Sequence, residues 1–200
     1  MREILPDVLT WAWLSERHGY DFNGFLVRHA GGNVCIDPVE PGEADMEALR
    51  REGIARVVLT NRNHVRAANR VREATGARVA IHPADATHAR GQGGTIDDEL
   101  AIGAVVGPLV VIGVPGKSPG EVALHWPARR LLVVGDAVIG NPPGACALLP
   151  DRVMDDPRAL RGSVRGLLAL DFDTLLVGDG APLLRGAKDR LRELVTTFES

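Results

Sequence analysis

Apolar residues along this chain gather in short runs with two different periods. Glu3 to Leu14 reads as strand, broken by Pro6-Asp7, and Asn23 to Ile36 holds two apolar runs separated by Ala30-Gly31-Gly32-Asn33, a hairpin pattern. After Asp37-Pro38, Glu43 to Glu52 has amphipathic helical spacing through Met46 and Leu49 and stops near Gly53. Val57-Val58-Leu59-Thr60 reads as a buried strand, His64 to Thr75 as a helix closing on Gly76, and Arg78-Val79-Ala80-Ile81 as another strand. The second half is richer in strands, at Leu109 to Val114, Val122 to Trp126, Leu131 to Val134 and Thr174 to Val177, with helices over Asp156 to Leu170 and Leu184 to Phe198. No low-complexity or Ser/Pro-rich linker divides the halves, so residues 1–200 are expected to form one domain of two related layers. Strand-rich halves each closed by helices predict an α/β (α+β) sandwich of sheets covered by helices.

Composition narrows the class. With 200 residues, 45% hydrophobic and 24% charged, the chain can bury a core without a disulfide or structural metal. The net charge of -3 argues against a nucleic-acid coat or a polybasic membrane anchor. No apolar stretch reaches transmembrane length, and the segment Met1 to Asp7 has acid and proline where a signal peptide needs an apolar core, so a cytoplasmic location is expected. Cys35 and Cys146 are far apart and are expected to stay reduced, with Cys35 in the core. Of the 23 basic residues only Lys117 and Lys188 are lysines, which makes the position of each informative.

Catalytic and binding groups in α/β proteins collect where a buried strand releases the chain into a loop. Four such loops stand out: Thr60-Asn61-Arg62-Asn63-His64-Val65-Arg66, Pro115-Gly116-Lys117-Ser118-Pro119-Gly120, Gly135-Asp136-Ala137 and Gly178-Asp179-Gly180. Together with Ile36-Asp37-Pro38, their order and spacing over nearly the whole chain resemble the metallo-β-lactamase superfamily, which includes glyoxalase II-like hydrolases. The resemblance implies a four-layer αββα sandwich. In that family the loops read T-H-x-H-x-D-H, P-G-H-[ST]-P-G, G-D-[AT] and G-H-G. Here the frame persists while the implied metal ligands change: Asn61, Asn63 and Lys117 stand at the first metal's histidines, and Val65, Arg66 and Asp179 at ligands of the second. Only the bridging aspartate remains, as Asp136.

Amides are poor zinc ligands, valine cannot ligate, and arginine or lysine repels a cation. The leading expectation is therefore a ligand-binding or regulatory protein with no cofactor, its pocket formed by Asn61, Asn63, His64, Arg66, Lys117, Asp136 and Asp179. In it the Lys117 ammonium is expected within salt-bridge distance of Asp136, in place of a metal's charge. A second expectation is a hydrolase of esters, thioesters or lactones, with Lys117 and Asp136 as its catalytic pair or a single weakly held divalent metal on Asp136, Asp179 and His64. A third is an interaction module or homo-oligomer. The small-molecule ligand is not specified by the sequence, and neither nucleic acid nor membrane is expected as a partner.

Plainer roles stand beside these. Asn61 and Asn63 can close the turn before the helix, the favoured reading for Asn63, and Asp136 and Asp179 can serve as turn residues. His64 can cap or pack at a helix start, Arg66 can extend into water, and His82 and His88 read as surface residues. Gly116-Lys117-Ser118 is not a phosphate loop, because the first glycine position is Val111 and Pro119 follows where a helix should begin. The stretch Gly140 to Pro150 is a candidate pocket rim.

Overall fold

The structure, a computed structural model, describes residues 1–199. Its first sheet has seven strands in sequential order: β1 (Arg2–Leu5), β2 (Val8–Ser15), β3 (Tyr20–Val27), β4 (Asn33–Ile36), β5 (Ile54–Leu59), β6 (Arg78–Ile81) and β7 (Asp98–Glu99). β1 to β4 pair antiparallel, and β4 to β7 pair parallel. The parallel pairs need crossovers, which α1 (Glu43–Glu52), α2 (Ala68–Thr75) and α3 (Pro83–Gly91) provide. The second sheet has the order β12-β11-β10-β9-β8, from β8 (Val105–Val106), β9 (Leu109–Gly113), β10 (Val122–Trp126), β11 (Leu131–Val133) and β12 (Thr174–Leu176). The helices of the second half are α4 (Pro157–Leu167) and α5 (Ala187–Thr196).

Three apolar cores define four layers. Met46, Leu49, Val71 and Ala89 of α1 to α3 pack on Val57, Leu59, Val79 and Ile81. Between the sheets Val58, Ala80 and Ile36 meet Val111, Leu124 and Val133. Leu160, Val164 and Leu191 of α4 and α5 cover Ala123, Leu132 and Leu175. Residues 57, 58 and 59 thus alternate between the helix layer and the opposite sheet, as a strand buried on both faces must. The fold is the αββα sandwich expected from the sequence. Among the described residues no helix is long and apolar enough to cross a membrane.

The differences from expectation have local causes. α2 begins at Ala68 rather than His64: residues 61–67 form turns closed by His64 N–H to Asn61 O (3.2 Å) and Ala68 N–H to Val65 O (2.7 Å), with Arg66 at φ +27°. That left-handed conformation in an L-residue interrupts a helix. α5 begins at Ala187 rather than Leu184, because Leu183 exchanges two backbone bonds with Leu175 before Gly186 turns the chain at φ +64°. β7 and β8 have two residues each and carry no periodic signal.

Candidate functional site

Five strand ends converge at one edge of the sandwich, joined across the sheets by Val122 N–H to Thr60 O (2.9 Å) and Asn23 N–H to Gly178 O (2.8 Å). Asp37 follows β4, Asn61 to Arg66 follow β5, Lys117 follows β9, Asp136 follows β11 and Asp179 follows β12. Two of these loops require glycine. Gly135 has φ +53°, and a Cβ there would lie 2.3 Å from Thr60 Oγ1; Gly116 has φ +143°, and a Cβ would lie 2.3 Å from the Leu160 backbone nitrogen. The first approach presses the Asp136 loop against the end of β5, and the second packs the Lys117 loop against the start of α4.

Asp136 is the hub. One carboxylate oxygen lies 3.0 Å from His64 Nε2 and the other 3.3 Å from Lys117 Nζ. His64 is fully buried, and its other nitrogen, Nδ1, lies 2.9 Å from Asp37 Oδ2. An imidazole with a carboxylate at each nitrogen donates from both and is therefore an imidazolium. Burial and the Arg66 charge push its pKa down, but Asp37 and Asp136 outweigh them and raise it to about 9. Asp37 also accepts from Thr60 N–H (2.8 Å) and Thr60 Oγ1 (2.6 Å), which ties this carboxylate to the end of β5. Burial opposes ionisation of Asp136, yet His64, Lys117 and Arg66 hold it well below the usual carboxylate range.

A second pair lies beside this hub. Arg66 Nη2 is 3.4 Å from Asp179 Oδ1, and its guanidinium sits over the Phe22 ring at 4.5 Å. Burial and the neighbouring Asp136 charge push Asp179 up to about 6, and burial with the Asp179 charge raises the Tyr20 phenol. The cluster thus sets three cations, His64, Lys117 and Arg66, against Asp37, Asp136 and Asp179.

The asparagines exchange the roles expected of them. Asn61 closes the turn, its side-chain oxygen accepting from Asn63 N–H (2.9 Å), and its amide donates to Glu121 Oε1 (3.3 Å). Asn63 does not cap α2, whose first flanking residue is Ala67; it is exposed, with Oδ1 3.5 Å from Lys117 Nζ. These groups pack on one another, and a cavity of about 690 Å³ nearby is lined by none of the seven. Its walls include Ala12, Leu14, Tyr20 and Pro182, and of the Gly140 to Pro150 stretch Gly140, Asn141 and Pro143 face that space. His82 accepts from Ala84 N–H at the start of α3, His88 is exposed, and both cysteines are free, with Cys35 in the core.

Sequence reasoning passed over Glu121 and Asp85. Glu121 is buried; Oε1 accepts from Asp136 N–H (3.0 Å) and Oε2 finds no partner among the described residues. Burial and the Asp136 charge raise its pKa well above the usual carboxylate range, against the opposing pull of Lys117 and His64. Asp85 is buried on α3 and accepts from Arg62 N–H (2.8 Å), Gly120 N–H (2.9 Å) and Ser118 Oγ, fastening the β5 loop to the β9 loop. The available signal was a carboxylate at the entry to the apolar run Val122 to Trp126 and another inside an Ala-rich helix. Asp85→Asn keeps one acceptor but turns an amide donor toward the other loop, and is expected to cost about 2 kcal/mol in urea denaturation.

Two facing sheets, outer helices and a polar cluster on five strand-end loops define an αββα-sandwich protein with its site at the sheet edge. The chain belongs to the metallo-β-lactamase superfamily, whose sequence profile matches residues 2–198. It is 32% identical over 165 residues to a hydroxyacylglutathione hydrolase of Cereibacter sphaeroides and 31% identical over 160 residues to one of Anaeromyxobacter dehalogenans. The first match covers 78% of this chain and 61% of the relative; the second covers 76% and 58%. The chain therefore spans about three fifths of the length of these relatives. Among solved structures, TTHA1623 in a di-iron-bound form superposes with a TM-score of 0.70 at 27% identity, covering 89% of this chain and 96% of that one. The DIM-1 metallo-β-lactamase superposes at 0.77 with 14% identity, covering 98% and 96%, a likeness of fold.

The family implies a metal centre, and the donor set here does not fit one. Among the described residues no three His, Cys, Asp or Glu side chains are grouped to hold an ion. In the alternative trio of Asp136, Asp179 and His64, both imidazole nitrogens face carboxylates and Asp179 pairs with Arg66. Lys117 and Arg66 add positive charge at the family's ligand positions, which disfavours a divalent ion.

Proposed function

We propose that this protein is a metal-independent, ligand-binding member of the superfamily, in which an internal set of cations takes over the charge-balancing role of metal. The observation that supports it is the grip on Asp136 by the His64 imidazolium and the Lys117 ammonium, one on each oxygen. Buried carboxylates require such compensation, and here the chain supplies it. The loops keep their strand-end placement, and Asn63 with the solvent-open part of Arg66 lies on the surface that a small molecule would meet.

Similarity to hydroxyacylglutathione hydrolases supplies the competing reading, a thioester hydrolase. Elemental analysis of protein grown with zinc and iron, combined with a hydroxyacylglutathione hydrolysis assay, separates the two. The expected result is substoichiometric metal and no turnover above buffer, before and after added zinc. Stoichiometric metal with turnover would replace the proposal by the hydrolase reading.

A further inference from the structure

Two cationic side chains of the strand-end loops, Arg66 and Lys117, have donors that the protein leaves unused. Arg66 makes one hydrogen bond, the 3.4 Å contact to Asp179, and its buried Nη1 finds no acceptor among the described residues. A guanidinium carries five N–H donors and pairs with a carboxylate most strongly as a two-bond fork, so this one is far from saturated. It is nevertheless held firmly, by the strained backbone at φ +27° and by the Phe22 ring, with 20% of the side chain open to solvent. Lys117 has three donors and two long contacts, to Asp136 (3.3 Å) and Asn63 (3.5 Å), and keeps 8% of its side chain open. Both cations lie close enough to Asp136 to depress it.

Next to Arg66 the β2–β3 hairpin carries a ring cluster. Trp13 and Phe22 have centroids 5.7 Å apart, Tyr20 and Phe22 6.0 Å, and Trp13 is 48% exposed. We infer that Lys117 and Arg66 form a docking point for the carboxylate of a small ligand whose aromatic or apolar body lies against these rings. The inference rests on the metal-free reading above. A single negative charge fits better than two, because three cations already face three carboxylates and each added charge unbalances the cluster further.

The two lysines make a direct test possible in the unmodified protein. Lys188 donates to Leu170 O beside the Phe172 ring, away from the strand-end loops, and serves as an internal reference. Protein grown on 13C-lysine gives two Cε resonances, and benzoate is expected to shift that of Lys117 saturably while leaving Lys188 in place. Benzyl alcohol should shift neither, and Lys117→Gln and Arg66→Gln should each weaken benzoate binding, read by tryptophan fluorescence, about tenfold or more. A metal-free sample in which benzoate leaves Lys117 unmoved overturns the inference and spares the metal-free reading. Stoichiometric metal in the same sample overturns that reading, and the inference with it. Tighter binding of phenyl phosphate than of benzoate overturns the assignment to a carboxylate.

Discussion

His64→Leu is expected to lower the unfolding free energy by about 3–5 kcal/mol at neutral pH, because it strands Asp37 and Asp136 in the interior with one of their shared cations gone. The volume is nearly conserved, so packing loss contributes little. The same residue sets a pH signature. Its pKa is about 9 in the fold against about 6.5 unfolded, so its stabilisation is complete below about pH 6.5 and is lost as pH climbs through 9. About 3 kcal/mol should disappear over that window. Asp179, raised to about 6, acts with the same sign in a lower window, between its unfolded value near 3.8 and 6. Urea denaturation should show a decline between pH 6.5 and 9 that is about 3 kcal/mol smaller in His64→Leu than in the natural protein, while the declines from the raised Asp179 and Glu121 carboxyls remain in both. A natural protein whose stability stays flat from pH 6.5 to 9 would remove the buried imidazolium from the account.

Introducing three imidazoles, at Asn61, Asn63 and Lys117, is expected to create a zinc site. Asn61, Asn63 and Lys117 already lie around Asp136: Lys117 Nζ is 3.3 Å from its carboxylate and 3.5 Å from Asn63 Oδ1, and the Asn61 amide and the Asp136 backbone N–H both donate to Glu121 Oε1. Asn61→His, Asn63→His and Lys117→His together remove one cation and supply the neutral nitrogen ligands that zinc prefers. The change sacrifices the turn that Asn61 closes, at a cost of about 1 kcal/mol. The triple variant should bind one zinc per chain and gain about 3 kcal/mol at a hundredfold excess over its dissociation constant, reversibly with chelator. The natural protein should melt at the same temperature with zinc or chelator. Equal zinc binding by both proteins would show that the present side chains already suffice.

The two-fold and helical periods in the sequence located most elements within a few residues, because β5, β6 and β10 are buried on both faces and α1 buries one stripe. The loop order likewise led to Lys117, Asp136, Arg66 and Asp179. What stayed illegible depends on direction rather than identity. Whether His64 opens a helix or turns inward is decided by Asp37 and Asp136, 27 and 72 positions away. The exchange of roles between Asn61 and Asn63 follows from which amide the turn faces, and no spacing encodes that. Glu121 was hidden because a carboxylate beside Pro-Gly normally signals a solvated turn.

Asp85 has a consequence for how such a site can change over evolutionary time. It fastens the β5 and β9 loops through backbone groups and Ser118, and none of its bonds involves a side chain at the family's ligand positions. Alignment of the two loops is thus partly insulated from whatever chemistry lies between them. Side chains that lie between the two loops can therefore be varied without cutting this clasp.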